Sequence, residues 1–177
     1  MKRNLIIVLF ALVSVFVVIL SRGESGLMVS PISRITISPI DHPDVIRVEE
    51  MIDKTGADVP PDTKKKVAIA IAEHSRYYGI KPKNLVAIAF VESTFQPNLI
   101  NTSGDHGLMQ INWPTWKNRF TRDPKDLLNV YKNVEVACKI ININKSMGQT
   151  DLAAYHSFNA ENKAEYAAKL KEVLRRL

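Results

Sequence analysis

The chain has 177 residues, of which 46% are apolar and 24% charged, a globular balance that excludes wholesale disorder and allows roughly one domain plus an appendage. Its single cysteine, Cys138, excludes an internal disulfide framework and a cysteine-based zinc cluster. The net charge of +6 drops to +3 without residues 1–22, whose only charges are Lys2, Arg3 and Arg22; the 21 bases and 18 acids that remain suit an anionic polymer surface and argue against a nucleic-acid partner.

Lys2 and Arg3 precede an uncharged stretch of 18 residues, Asn4–Ser21, whose apolar run Leu5–Leu20 is broken only by Ser14. A positive start followed by an apolar core is the pattern of an export segment. The run is long for a cleaved signal and short for a spanning helix, so residues 1–22 read as either a signal peptide or a membrane anchor. Both readings place the rest of the chain outside the cytoplasm. Residues 23–60 are rich in Ser, Pro and Gly and read as a linker with one short strand around Ile35 and Ile37.

From residue 61 the signals are helical. Asp62 or Thr63 caps a helix to about Tyr78, and Gly79 stops it. Pro82 opens a second helix to about Ser93. Its segment Leu85–Val91 is apolar on nearly every side, the pattern of a buried central helix. Residues 94–108 form a loop rich in Asn, Gly and Pro. Pro114 opens a short helix to Phe120. Asp123 or Pro124 starts a longer helix through about Met147, Asp151 caps another through about Ser157, and Glu161–Leu177 forms the last. No strand alternation follows residue 60. The expectation is a mainly α domain over 61–177, with Cys138 in its core.

The informative residue is Glu92, which follows seven consecutive apolar residues. A carboxyl group there is costly to bury charged. Its pKa should rise, which holds a proton available near neutral pH as a general acid requires. The four histidines show no metal spacing and no Gly-rich phosphate loop is present, so no metal or other cofactor is implied.

Glu92 begins the segment Glu92-Ser93-Thr94-Phe95-Gln96-Pro97. Gly107-Leu108-Met109-Gln110-Ile111-Asn112 follows, and then Leu152-Ala153-Ala154-Tyr155. With Tyr77-Tyr78-Gly79-Ile80 before the glutamate, Asn133-Val134 after it and Glu165-Tyr166-Ala167 near the end, these segments resemble the lytic transglycosylase family with a goose-lysozyme-like catalytic domain. The resemblance covers about residues 65–170 and is closest to the small single-domain members that serve trans-envelope machines.

The resemblance implies a lysozyme-like helical fold and cleavage of the glycosidic bond between N-acetylmuramic acid and N-acetylglucosamine. Glu92 would protonate the glycosidic oxygen and then take the proton of the muramic 6-hydroxyl, closing an anhydro ring. One carboxylate suffices, an exception to the two-carboxylate rule. Ser93 would help hold the substrate's N-acetyl group or, equally, bond the backbone. Met109 and Gln110 would line the sugar groove, and Tyr155 would orient Glu92. The family usually reads Ala-Tyr-Asn-Ala-Gly where this chain has Ala154-Tyr155-His156-Ser157-Phe158. The implied partner is peptidoglycan, in the periplasm, with secretion or conjugation components as further partners and the membrane through residues 4–21 if that segment stays uncleaved. A hydrolytic muramidase of the same fold and a catalytically inactive wall-binding scaffold are the rival expectations.

Overall fold

The computed structural model describes residues 42–157 and 159–177. The export segment and most of the linker lie outside the described residues. Among the described residues, no helix is long and apolar enough to cross a membrane.

The fold is mainly helical. It comprises α1 (Pro43–Lys54), α2 (Pro61–Tyr78), α3 (Pro82–Ser93), a two-stranded hairpin of β1 (Asp105–His106) and β2 (Ile111–Asn112), α4 (Trp113–Trp116), a 3₁₀ turn (Pro124–Leu128), α5 (Val130–Ser146), a second 3₁₀ turn (Leu152–Tyr155) and α6 (Ala160–Arg176). The first three helices each start with proline, whose fixed φ suits the first helical position and whose missing N–H is not needed there. Gly79 ends α2 in the left-handed region at φ 65°, as expected of a glycine stop.

α3 is the buried centre. Leu85, Val86, Ala87, Ile88 and Ala89 are fully buried, and α1, α2 and α6 pack around them. Burial on all sides is what the uninterrupted apolar run requires. Cys138 is buried in α5, and burial pushes its thiol up to about 12, so it is an unreactive packing residue.

The linker reading fails over residues 43–54. They form α1, which packs against α2 and α3. Val45, Val48 and Ile52 are its buried stripe, spaced to share one helix face. His42 caps it through Nδ1, which accepts from the Asp44 N–H at 3.3 Å. The domain therefore includes residues 43–60. Burying three such side chains contributes about 4.5–9 kcal/mol, comparable to the whole stability of a typical domain. A chain starting at residue 58 is expected to be insoluble or to melt far below one starting at residue 42. Equal melting temperatures would refute the packing role of α1.

Four other elements differ from expectation. The expected long helix from Asp123 breaks at Asn129, whose side chain accepts from the Lys132 N–H and starts α5 afresh. The helix expected over Pro114–Phe120 is the four-residue α4, and the one from Asp151 is a 3₁₀ turn. The β hairpin appears where no strand was expected, pairing Asp105 with Asn112 and His106 with Ile111. Strands of two residues are too short to show alternation.

Candidate active site

Glu92 sits in the last turn of α3. The chain leaves that helix through two left-handed residues, Thr94 (φ 51°) and Phe95 (φ 61°). Such backbone is costly for side-chain-bearing residues and persists only where packing enforces it. Here the buried Phe95 ring anchors the turn. The turn leaves Glu92 on the wall of a groove of ≈ 750 Å³, with Asp105, Gln110, Trp116, Tyr155 and His156 also lining it.

Tyr166, on α6, donates its hydroxyl proton to Glu92 Oε1 at 2.6 Å. Burial drives the Glu92 pKa up to about 7, and the negative charge of Asp105 adds to the rise; the Tyr166 hydrogen bond and the Lys169 charge oppose it. Near pH 7 a large share of Glu92 is thus protonated, and the conjugate carboxylate is equally accessible. A group with that balance serves as acid in one step and base in the next. Burial and the charge of Glu92 hold the Tyr166 phenol well above its ordinary pKa, so it acts only as a donor.

The other wall is the loop Gly107–Gln110, clamped from beneath by Asn133 of α5. Asn133 is fully buried. Its Nδ2 donates to the His106 and Leu127 carbonyl oxygens at 2.9 and 2.7 Å, and its Oδ1 accepts from the Met109 N–H at 2.7 Å. All of its hydrogen-bonding directions but one are used. Gly107 sits over this amide at φ 77°.

The expected site residues divide. Gln110 does line the groove, at φ 43°, with Nε2 donating to the Leu99 and Gly107 carbonyl oxygens. Tyr155 lines it too, but its hydroxyl donates to the Met109 carbonyl oxygen at 2.7 Å rather than to Glu92, so the orienting bond belongs to Tyr166. Met109 is fully buried and does not reach the groove; it acts through its backbone. Ser93 is also buried, and its hydroxyl donates to the Leu108 carbonyl oxygen at 2.7 Å. It ties the end of α3 to the opposite loop, which is the backbone-bonding alternative rather than a substrate contact. Trp113 and Trp116 are half-buried, and Trp116 faces the groove.

The family model described as transglycosylase SLT domain matches residues 69–172. That span is more than half of the chain and contains Glu92, the Gly107–Gln110 loop, Tyr155 and Tyr166. The chain belongs to the transglycosylase SLT domain family. Comparison with curated proteins finds no match. The family acts on peptidoglycan, and the helical fold agrees with a lysozyme-like architecture.

Within this SLT domain, three contributors escaped sequence reasoning. Asp105, on β1, accepts at Oδ2 from the Asn101 amide (2.6 Å) and at Oδ1 from the Asn112 amide (2.8 Å). Tyr166 stood in a segment used for the resemblance, without an assigned role. His156 stacks on the Tyr166 ring, with centroids 4.7 Å apart and planes 10° from parallel. The unusual histidine thus packs against the phenol that orients the acid. Tyr166→Phe removes the donor that holds the Glu92 pKa down. The pH at which activity fails on the alkaline side is expected to rise, while the rate at pH 7 falls about tenfold or more and stability changes by about 1–2 kcal/mol. His156→Asn, which removes the stack, is expected to lower the rate, with His156→Phe closer to wild type. A rate–pH profile of the three variants on one wall preparation checks this; three profiles that overlay the wild type would remove both residues from the site.

Proposed function

We propose that this chain is an exported lytic transglycosylase that cuts the bond between N-acetylmuramic acid and N-acetylglucosamine and leaves 1,6-anhydro ends. One observation carries the reading: the half-buried Glu92 carboxyl with pKa about 7, held by the Tyr166 phenol on the wall of the groove. Neutral Glu92 gives its proton to the leaving glycosidic oxygen. The resulting carboxylate takes the proton of the muramic 6-hydroxyl as that oxygen closes on the anomeric carbon. Glu92 ends as it began, and no water or second carboxylate is consumed. Export by residues 1–22, with that segment cleaved or retained as an inner-membrane anchor, would put the enzyme in the periplasm, and its small size suits local wall opening for a secretion or conjugation apparatus.

Hydrolysis is the second reading, and Asp105 favours it. Its carboxylate lines the same groove, is oriented by two amides, and lies near enough for its charge to raise the Glu92 pKa. A second carboxylate that activates water is the arrangement of hydrolytic glycosidases. Mass spectrometry of products from purified wall separates the two, because hydrolysed ends carry one more water than anhydro ends. Anhydro products are expected. Asp105→Asn is then expected to keep most of the turnover while moving the alkaline limit to lower pH, since the charge raising the Glu92 pKa is gone. Hydrated products with a loss of at least about a hundredfold in this variant would establish hydrolysis instead.

A further inference from the structure

Outside the groove, the C-terminal half of α2 and the start of α5 border an open surface cavity of ≈ 600 Å³. Tyr77, Tyr78 and Tyr131 form its aromatic surface. Tyr77 is 81% exposed and Tyr131 47% exposed, large rings to leave at a surface. The surface is preorganised. The Tyr131 hydroxyl donates to Glu73 Oε2 at 2.7 Å, and its ring rests 4.3 Å from the buried His74 ring. Tyr77 and Tyr78 meet edge to face with centroids 4.8 Å apart. Glu135 and the exposed Arg76 complete the lining.

We propose that this cavity binds a peptidoglycan glycan strand, separately from the strand being cut. The inference rests on the family's peptidoglycan substrate. The chemistry of the lining favours a sugar. Three tyrosine rings, one histidine and three ionic groups line the cavity, with no aliphatic side chain among them. A pyranose ring offers an apolar C–H face for a tyrosine ring to pack against, and hydroxyl and acetamido groups around its edge. Glu73 and Arg76 at the rim provide an acceptor and donors for those groups, while Glu135 is already paired with Lys132 and Lys139.

Placement on α5 keeps the two sites apart. Tyr131 and Glu135 line the cavity from the first turns of α5, while Ile140, Ile143 and Asn144, with Met147 just past its end, line the groove. Only about 7.5 Å of helix axis separates Glu135 from Ile140, but at 3.6 residues per turn the two sets lie on different sides of the helix. No residue lines both. A wall is a network of many strands, so a second site raises the effective concentration of the groove near its substrate without touching the chemistry.

The test uses the full chain with Glu92→Gln, so that the wall is bound and not digested, and follows co-sedimentation with purified insoluble sacculi. Tyr77→Ser is expected to weaken binding at least about fivefold, and Tyr77→Trp, which keeps an aromatic face, to restore it. With Glu92 intact, Tyr77→Ser should slow the clearing of sacculi and leave cleavage of a short soluble glycan unchanged. Sacculus binding that is equal in all three proteins would overturn the proposal and leave the tyrosines to a protein partner. Weakened binding that tryptophan fails to restore, or an equal loss on the short glycan, would overturn it as well. Failure of the chain with its tyrosines intact to bind sacculi at all would instead count against the peptidoglycan reading.

Discussion

Glu92→Gln is expected to lose at least about a hundredfold of turnover, the lower end for general acid–base catalysis, and to gain stability at neutral pH. The amide keeps the shape of the carboxyl and still accepts from Tyr166, but it cannot cycle a proton. The gain in stability follows from the raised pKa. In the unfolded chain Glu92 ionises near 4.5, and in the folded chain near 7. Between those values the folded state keeps a proton that the unfolded state has released, so stability falls as pH rises through that window. Above pH 7 the penalty approaches its full size, roughly 3 kcal/mol for a shift from 4.5 to about 7; below pH 4.5 it is absent. Glutamine carries no such penalty. The variant is therefore expected to melt higher than wild type at pH 8 and level with it at pH 4. Turbidity clearing of purified wall measures the activity, and thermal melts at the two pH values measure the stability. Wild-type clearing by the variant would defeat the assignment of Glu92. A melting difference of the same size at both pH values would show that the carboxyl is not held uncharged by burial.

Gly107→Ala should cost at least about 3 kcal/mol and take activity with it. A Cβ at this position would collide with the Leu127 carbonyl oxygen and stand 2.6 Å from Asn133 Nδ2. Neither can yield easily. The carbonyl is backbone, and the amide makes three buried hydrogen bonds that include the one to Met109. Moving it leaves buried donors and acceptors unpaired, at about 1–3 kcal/mol each, and alanine at φ 77° adds its own strain. The displaced loop carries Gln110 and the carbonyl that Tyr155 holds, so the groove loses one wall. Thermal melts and wall clearing both report on this. A melting temperature within a degree or two of wild type would show that the loop has room that this packing denies.

Much of this protein was determined locally, and those parts were legible in the chain. Pro82 starts a helix and Gly79 stops one, because φ is restricted or released at the residue itself; the cap expected at Asp62 or Thr63 is absent, and that helix starts at Pro61. Seven apolar residues before Glu92 made both the central helix and the raised pKa readable, since no helix with that surface can lie in water. The residue types around the glutamate carried the family.

Other features were decided only by the fold. α1 looked like linker because Val45, Val48 and Ile52 stand among charges, and their burial exists only where α2 and α3 supply a surface. Whether a loop side chain faces core or solvent follows from backbone turns such as those at Thr94, Phe95 and Gln110, and no periodicity encodes it; Met109 was misplaced for that reason, while Ser93 took the backbone-bonding one of its two expected roles. The partners of the acid came from far along the chain. Tyr166 reaches Glu92 across 74 positions, and Asn133 reaches Met109 across 24. Bonds of that span have no spacing rule in sequence, because folding and not chain order brings their ends together.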